Sequence, residues 1–141
     1  MSTIYTLSAY ETSAEDFFET LRLHKTDLVL DVRLKNSNQL CGFTKRKDLA
    51  YLIPTIIGAA YVHDLRFAPQ DTLLDKYLHG WSTWQEYRAG YQQQMRQEDI
   101  PTLFKSLYGT YKHVCILGTA TKKRRSHSEA LLELLTGKRS K

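Results

Sequence analysis

Asp31-Val32-Arg33 sets a carboxylate and a guanidinium two residues apart in an apolar run. Alternate side chains of an extended chain share a face, so the two can pair with each other as a salt bridge or hold a ligand between them. His63 closes a second apolar run beside Tyr61 and Asp64. An imidazole there serves as an acid or base near neutral pH, or as a hydrogen-bonded structural residue. His127 falls in the first turn of a helix opened by the capping pattern Ser126-His127-Ser128-Glu129. The helix dipole and the basic residues before it disfavour its charged form, leaving a neutral donor or acceptor. Lys122-Lys123-Arg124-Arg125 runs directly into that helix, whose first N–H groups carry partial positive charge. A phosphate fits there, and a solvated basic loop ahead of an ordinary cap is the alternative.

These residues can meet only if strands deliver them to one rim. Residues 4–7, 28–32, 59–63 and 114–117 are short apolar runs of the kind buried on both faces of a parallel sheet. Helical patterns lie between them. One runs from a Thr12 or Ser13 cap to about His24, with Phe17, Phe18 and Leu21 inward. A second runs from about Lys45, with Leu49, Leu52 and Ile53 inward, is disturbed at Pro54 and ends at Gly58. A helix or helical turn covers 72–79, and another opens at Ser82-Thr83 with Trp84, Tyr87, Tyr91 and Met95 at helical spacing. Trp81, Trp84, Tyr87 and Tyr91 read as core, with base stacking through the same four residues as the alternative. Residues 98–108 form a further helix, and the terminal helix carries Leu131, Leu132, Leu134 and Leu135 up to Gly137. Residues 36–42 read as a polar loop.

Alternation of strand and helix predicts one α/β domain over 1–137 with a basic tail at 138–141. Its sheet is mostly parallel, of about four or five strands, with helices on both faces in Rossmann-like or flavodoxin-like layering. Ligands of such sheets bind at the carboxyl ends of the strands. That rim gathers Ser8, Tyr10, Asp31, Arg33, His63, Asp64, Arg66, Gly118, Thr119 and Thr121.

The formal charge of +5 is unevenly placed: the chain from Tyr111 onward carries it, and the first 110 residues are slightly acidic. Such a balance favours phosphate-bearing partners. No apolar run approaches the roughly 20 residues of a membrane span, and the N-terminus has no leader pattern, which points to the cytoplasm. Cys41 and Cys115 form no CxxC and read as incidental small hydrophobes of a reducing compartment. His24, His79 and His113 show no ligand spacing, so no metal site is expected, and there is no Gly-rich phosphate loop and no expected cofactor.

The order of the pieces resembles the family called domain of unknown function 488 across nearly the whole chain. The resemblance is carried by 4–7, 13–17, Asp31-Val32-Arg33, Phe43-Thr44-Lys45 with Leu49, Tyr61-Val62-His63, the Trp84, Tyr87 and Tyr91 helix, and 114–117 followed by His127. It implies a shared fold and carries over Asp31, Arg33, Lys45, Tyr61, His63 and His127. It also implies family cysteines at the positions of Gly118 and Ser126, so thiol-based chemistry is not expected here.

Three functions are open at this point. The first is recognition of a phosphate-bearing ligand, a nucleotide or a nucleic-acid backbone, by Ser8, Tyr10, Arg33, Lys45, Tyr61, Arg66, Thr119, Lys122, Lys123, Arg124, Arg125 and Ser126. The second is a small hydrolase or transferase acting on a nucleotide or nucleoside, with Asp31 as base or charge stabiliser and His63 or His127 as acid. The third is a catalytically inactive domain kept for protein contacts. The oligomeric state is not legible.

Overall fold

The computed structural model describes residues 2–138, so 139–141 of the expected basic tail lie outside the described residues. Four strands form one all-parallel sheet: β1 (Thr3–Ser8), β2 (Leu28–Asp31), β3 (Ala60–His63) and β4 (His113–Gly118), in the order β1-β4-β2-β3. Six α-helices connect and flank them: α1 (Ala14–Leu23), α2 (Arg46–Leu52), α3 (Asp71–Leu78), α4 (Trp84–Gln97), α5 (Ile100–Tyr108) and α6 (His127–Thr136). The α/β layering expected from the sequence is therefore present.

The alternation of side chains along the central strands splits the core in two. Leu28, Leu30, Val32, Val114 and Ile116 point to one face, where they pack with Tyr91 and Met95 of α4, Ile100 and Phe104 of α5, and Leu131 of α6. Val29, Cys115 and Leu117 point to the other and meet Phe17, Phe18 and Leu21 of α1, and Leu49 of α2. A strand whose residues are apolar on both faces can be stable only in this sandwich. The helices after β1 and β2 thus lie on one face, and α4, α5 and α6 on the opposite one.

Local chemistry fixes where the elements begin and end. Ser13 caps α1 by accepting from the Asp16 N–H. Thr83 with Glu86 and Ser126 with Glu129 form complete capping boxes at α4 and α6. Pro54 diverts α2 into a single π-helical turn, Ile53–Ile57, before Gly58 ends it with φ 77°. The segment read as a polar loop contains a 3-10 stretch, Gln39–Thr44, held open at Gly42 by φ 60° and ψ −131°, a conformation favouring glycine. No helix among the described residues is long and apolar enough to cross a membrane.

Candidate anion-binding site

β2 and β4 are neighbours, yet the chain leaves them in opposite directions: β2 leads to α2 on one face and β4 to α6 on the other. The carboxyl ends of two such strands open a crevice between the diverging connections, the place where open parallel sheets bind ligands. A cavity of about 290 Å³ occupies it.

The side of this crevice belonging to β2 is built around Asp31, which is fully buried. Arg33 closes on it as a bidentate pair, Nε to Oδ1 at 2.8 Å and Nη2 to Oδ2 at 2.7 Å. Asn36 Nδ2 donates to Oδ2 at 3.0 Å and the Tyr61 hydroxyl at 2.6 Å. Burial alone would raise the Asp31 carboxyl, but the hydrogen bonds and charge of Arg33, with Tyr61 and Asn36, outweigh it and hold it below its ordinary value. Burial likewise works against the Arg33 charge, and Asp31 more than restores it.

Arg33 is only 1% exposed. Its Nη2 also donates to the Thr44 carbonyl at 2.7 Å, which ties the 3-10 segment to the strand end. Its Nη1, although buried, has no hydrogen-bond partner among the described residues, and Arg33 lines the cavity. Buried donors are nearly always satisfied, so this guanidinium nitrogen is an exception among the polar groups of the strand end.

The side belonging to β4 is built around His127. Its Nε2 lies 2.6 Å from the Val32 carbonyl oxygen, and a carbonyl can only accept, so Nε2 carries the proton. Burial pushes the imidazole down to about 4 against the pull of that hydrogen bond, leaving Nδ1 an acceptor at neutral pH. The neutrality expected from the helix dipole therefore has burial as its main cause. His63 makes the matching contact one residue on, Nε2 to the Arg33 carbonyl at 2.8 Å. Two imidazoles, one from each side, thus fasten the chain leaving β2.

The structure brings Tyr10, Arg33, Thr119, Arg124 and His127 together on the cavity wall. Asp31 and Tyr61 stand behind Arg33, and Ser8 accepts from the Tyr10 N–H at 3.0 Å. Ser126 receives the Thr119 and Ser128 N–H groups while Glu129 receives its own, so the start of α6 is closed by its own cap. The other expected ligands point elsewhere. Arg125 pairs with Glu129 at 2.8 Å and lies over the Trp84 ring at 4.8 Å. Arg66 pairs with Asp64, repeating the Asp-x-Arg spacing at the end of β3. Lys45 sits ahead of α2, 3.9 Å from Asp48, beside a separate shallow hollow. Lys122 and Lys123 are exposed and line no part of the cavity. Tyr87 and Tyr91 are core, whereas Trp81 is 73% exposed and stacks on His79.

Sequence reasoning missed Leu34, Lys35, Asn38, Leu40, Cys41, Leu74 and Leu78, which complete the wall. Four are leucines, so the cavity has an apolar side as well as a polar one. The i, i+4 pair Leu74 and Leu78 was the available signal, because no residue of α3 is buried in the core. Among the described residues no cluster of three His, Cys, Asp or Glu is placed to hold a metal ion.

A profile of the family described as Domain of unknown function DUF488 matches residues 13–135, most of the chain. The chain belongs to the DUF488 family. No curated protein and no solved structure matches it. Five of the residues that the DUF488 resemblance carries over, Asp31, Arg33, Tyr61, His63 and His127, are bonded together at the β2 end, and Lys45 lies apart. The positions at which the resemblance puts cysteines face one another: a Cβ at Gly118 would lie 2.7 Å from Ser126 Oγ.

Proposed function

We propose that this domain recognises a small phosphate-bearing ligand in the crevice between β2 and β4. The observation that carries the reading is Arg33, a buried guanidinium residue lining the cavity, one of whose nitrogens has no hydrogen-bond partner. Lys35 and Arg124 add further cations at the same wall, and Thr119 and Thr121 add polar residues. A guanidinium held rigid by Asp31 and Thr44 loses little further entropy on meeting an anion, which is what a preorganised site requires. At about 290 Å³ the cavity lies just below the ~300–1,000 Å³ of drug-sized sites, which favours one nucleotide unit over a polymer. We place the domain in the cytoplasm, because Cys41 and Cys115 are both free.

The enzymatic alternative finds less support. Asp31 is saturated with hydrogen bonds and held ionised by Arg33, which makes it a positioning residue rather than a base. His127, with its pKa at about 4, is no acid at neutral pH.

The test is calorimetric titration of the full chain with nucleoside phosphates at low and moderate salt. Binding that drops about tenfold or more in Arg124→Ala, with an unchanged melting temperature, supports the reading. Equal binding by the parent and by this exposed-residue variant overturns it for Arg124. Tight single-stranded oligonucleotide binding with a steep salt slope would replace it with a nucleic-acid partner.

A further inference from the structure

The reading above leaves open which phosphate is bound, and the charges around the cavity narrow it. Asp31 cancels Arg33 through two hydrogen bonds within the buried pair. Lys35 faces Asp71 at 3.8 Å. His127 adds no charge, since its Nε2 proton is given to Val32 and its Nδ1 is a lone pair. Among the described residues, Arg124 is then the one cation at the wall not faced by a carboxylate. A desolvated ion must be matched in charge as well as in hydrogen bonds, so the wall balances one negative charge and leaves a second uncompensated.

The hydrogen-bonding groups agree with the charge count. Arg33 and His127 both line the cavity, Arg33 with a buried Nη1 that has no hydrogen-bond partner and His127 with a neutral Nδ1 that can only accept. A phosphate with three charged terminal oxygens would meet that lone pair as a repulsion, whereas one with two terminal oxygens and a sugar hydroxyl nearby can avoid it. Leu34, Leu74 and Leu78 form an apolar wall, with Tyr10 38% and Leu40 90% exposed at the mouth. Leucine and tyrosine at that position suit the faces of a heterocyclic base.

Resting on the proposed phosphate recognition, we propose that the ligand is a singly charged nucleoside phosphodiester of one-nucleotide size, a cyclic mononucleotide, with its phosphate on Arg33 and its base against the leucines.

The full chain is titrated calorimetrically with 3′,5′-cyclic AMP and cyclic GMP, with 5′-AMP and 5′-GMP, with inorganic phosphate and with adenosine, at pH 7.5 and pH 5.5. At pH 7.5 a cyclic nucleotide is expected to bind at least tenfold more tightly than its monoester. A monoester loses its second proton near pH 6, so its binding should strengthen roughly 25-fold on going to pH 5.5. The cyclic diester does not titrate there and serves as the control. Tyr10, Arg33, Lys35, Cys41, Arg124 and His127 at the wall, and Asp31, His63 and Asp71 behind it, act on both ligands alike. Monoesters binding as tightly as the diesters at pH 7.5, or without pH dependence beyond that of the diester, overturn the inference and leave phosphate recognition standing. Binding by none of the phosphates, or equal binding by adenosine, overturns both.

Discussion

His127 Nε2 stands 2.6 Å from the carbonyl oxygen of Val32, so the first residue of the last helix is fastened to the chain leaving β2, 95 residues earlier. The contact joins the two sides of the crevice. It also makes the geometry of the cavity sensitive to one proton.

The folded pKa of His127 is about 4 and its ordinary value is 6.5. Between these values the unfolded chain binds a proton that the folded one refuses, so the fold is at full strength above about pH 6.5 and weakens as pH falls towards 4. The loss is on the order of 3 kcal/mol. Urea unfolding at pH 7 and pH 4.5 measures it. His127→Gln is expected to be less stable at pH 7 by about 1–3 kcal/mol and to lose much of the slope between the two pH values. An unchanged slope refutes the assignment.

Asp31→Asn leaves Arg33 buried without a counter-charge and should cost about 3–5 kcal/mol. Replacing both partners, Asp31→Leu with Arg33→Met, removes the stranded charge and should cost less than the sum of the single changes. A double-mutant cycle reads the coupling, and additivity within about 0.5 kcal/mol would contradict the pairing.

Tyr61→Phe removes the 2.6 Å hydrogen bond to Asp31 Oδ2 and is expected to destabilise by about 1.5–3 kcal/mol. That bond helps hold the carboxyl below its ordinary 3.8. The depressed pKa adds stability above that value which is lost as pH falls through the lower folded value. The variant should therefore unfold in acid at a higher pH than the parent, as followed by circular dichroism.

Two glycine substitutions separate packing at the cavity from helix capping. A Cβ at Gly118 would collide with Ser128 Oγ and lie 2.7 Å from Ser126 Oγ, so Gly118→Ala should cost about 1–3 kcal/mol and displace the start of α6, abolishing ligand binding. Gly137 caps the other end of the helix with φ 72° and open space around it. Gly137→Ala is expected to cost about 1 kcal/mol and to leave ligand binding intact.

The sequence makes one half of this site readable and hides the other. Asp31 and Arg33 are legible because alternation in a strand is a strict period, and His127 because a capping box marks where a helix starts. Asn36, Cys41 and the Thr44 carbonyl are not, since neither the irregular stretch after β2 nor the 3-10 segment bent at Gly42 has a repeat by which a side chain can be assigned to the inside. The basic run before α6 misleads for a related reason. Charge is visible in a sequence, whereas the choice of Arg125 for Glu129 and Trp84, and of Arg124 for the cavity, is made by neighbours from α4 and α6. Nor does composition announce that Arg33, a residue type almost never fully buried, is enclosed.

The strand order carries a consequence for biosynthesis. β4 fills the gap between β1 and β2, and it is the last of these four strands to leave the ribosome. Until residue 118 has emerged, β1 and the β2–β3 pair have no common neighbour and present bare edges, the condition under which strands pair with the wrong chain. Nascent chains stalled at residue 112 are expected to be degraded by protease, and those extended past α6 to resist it. The crevice is thus assembled in one late step.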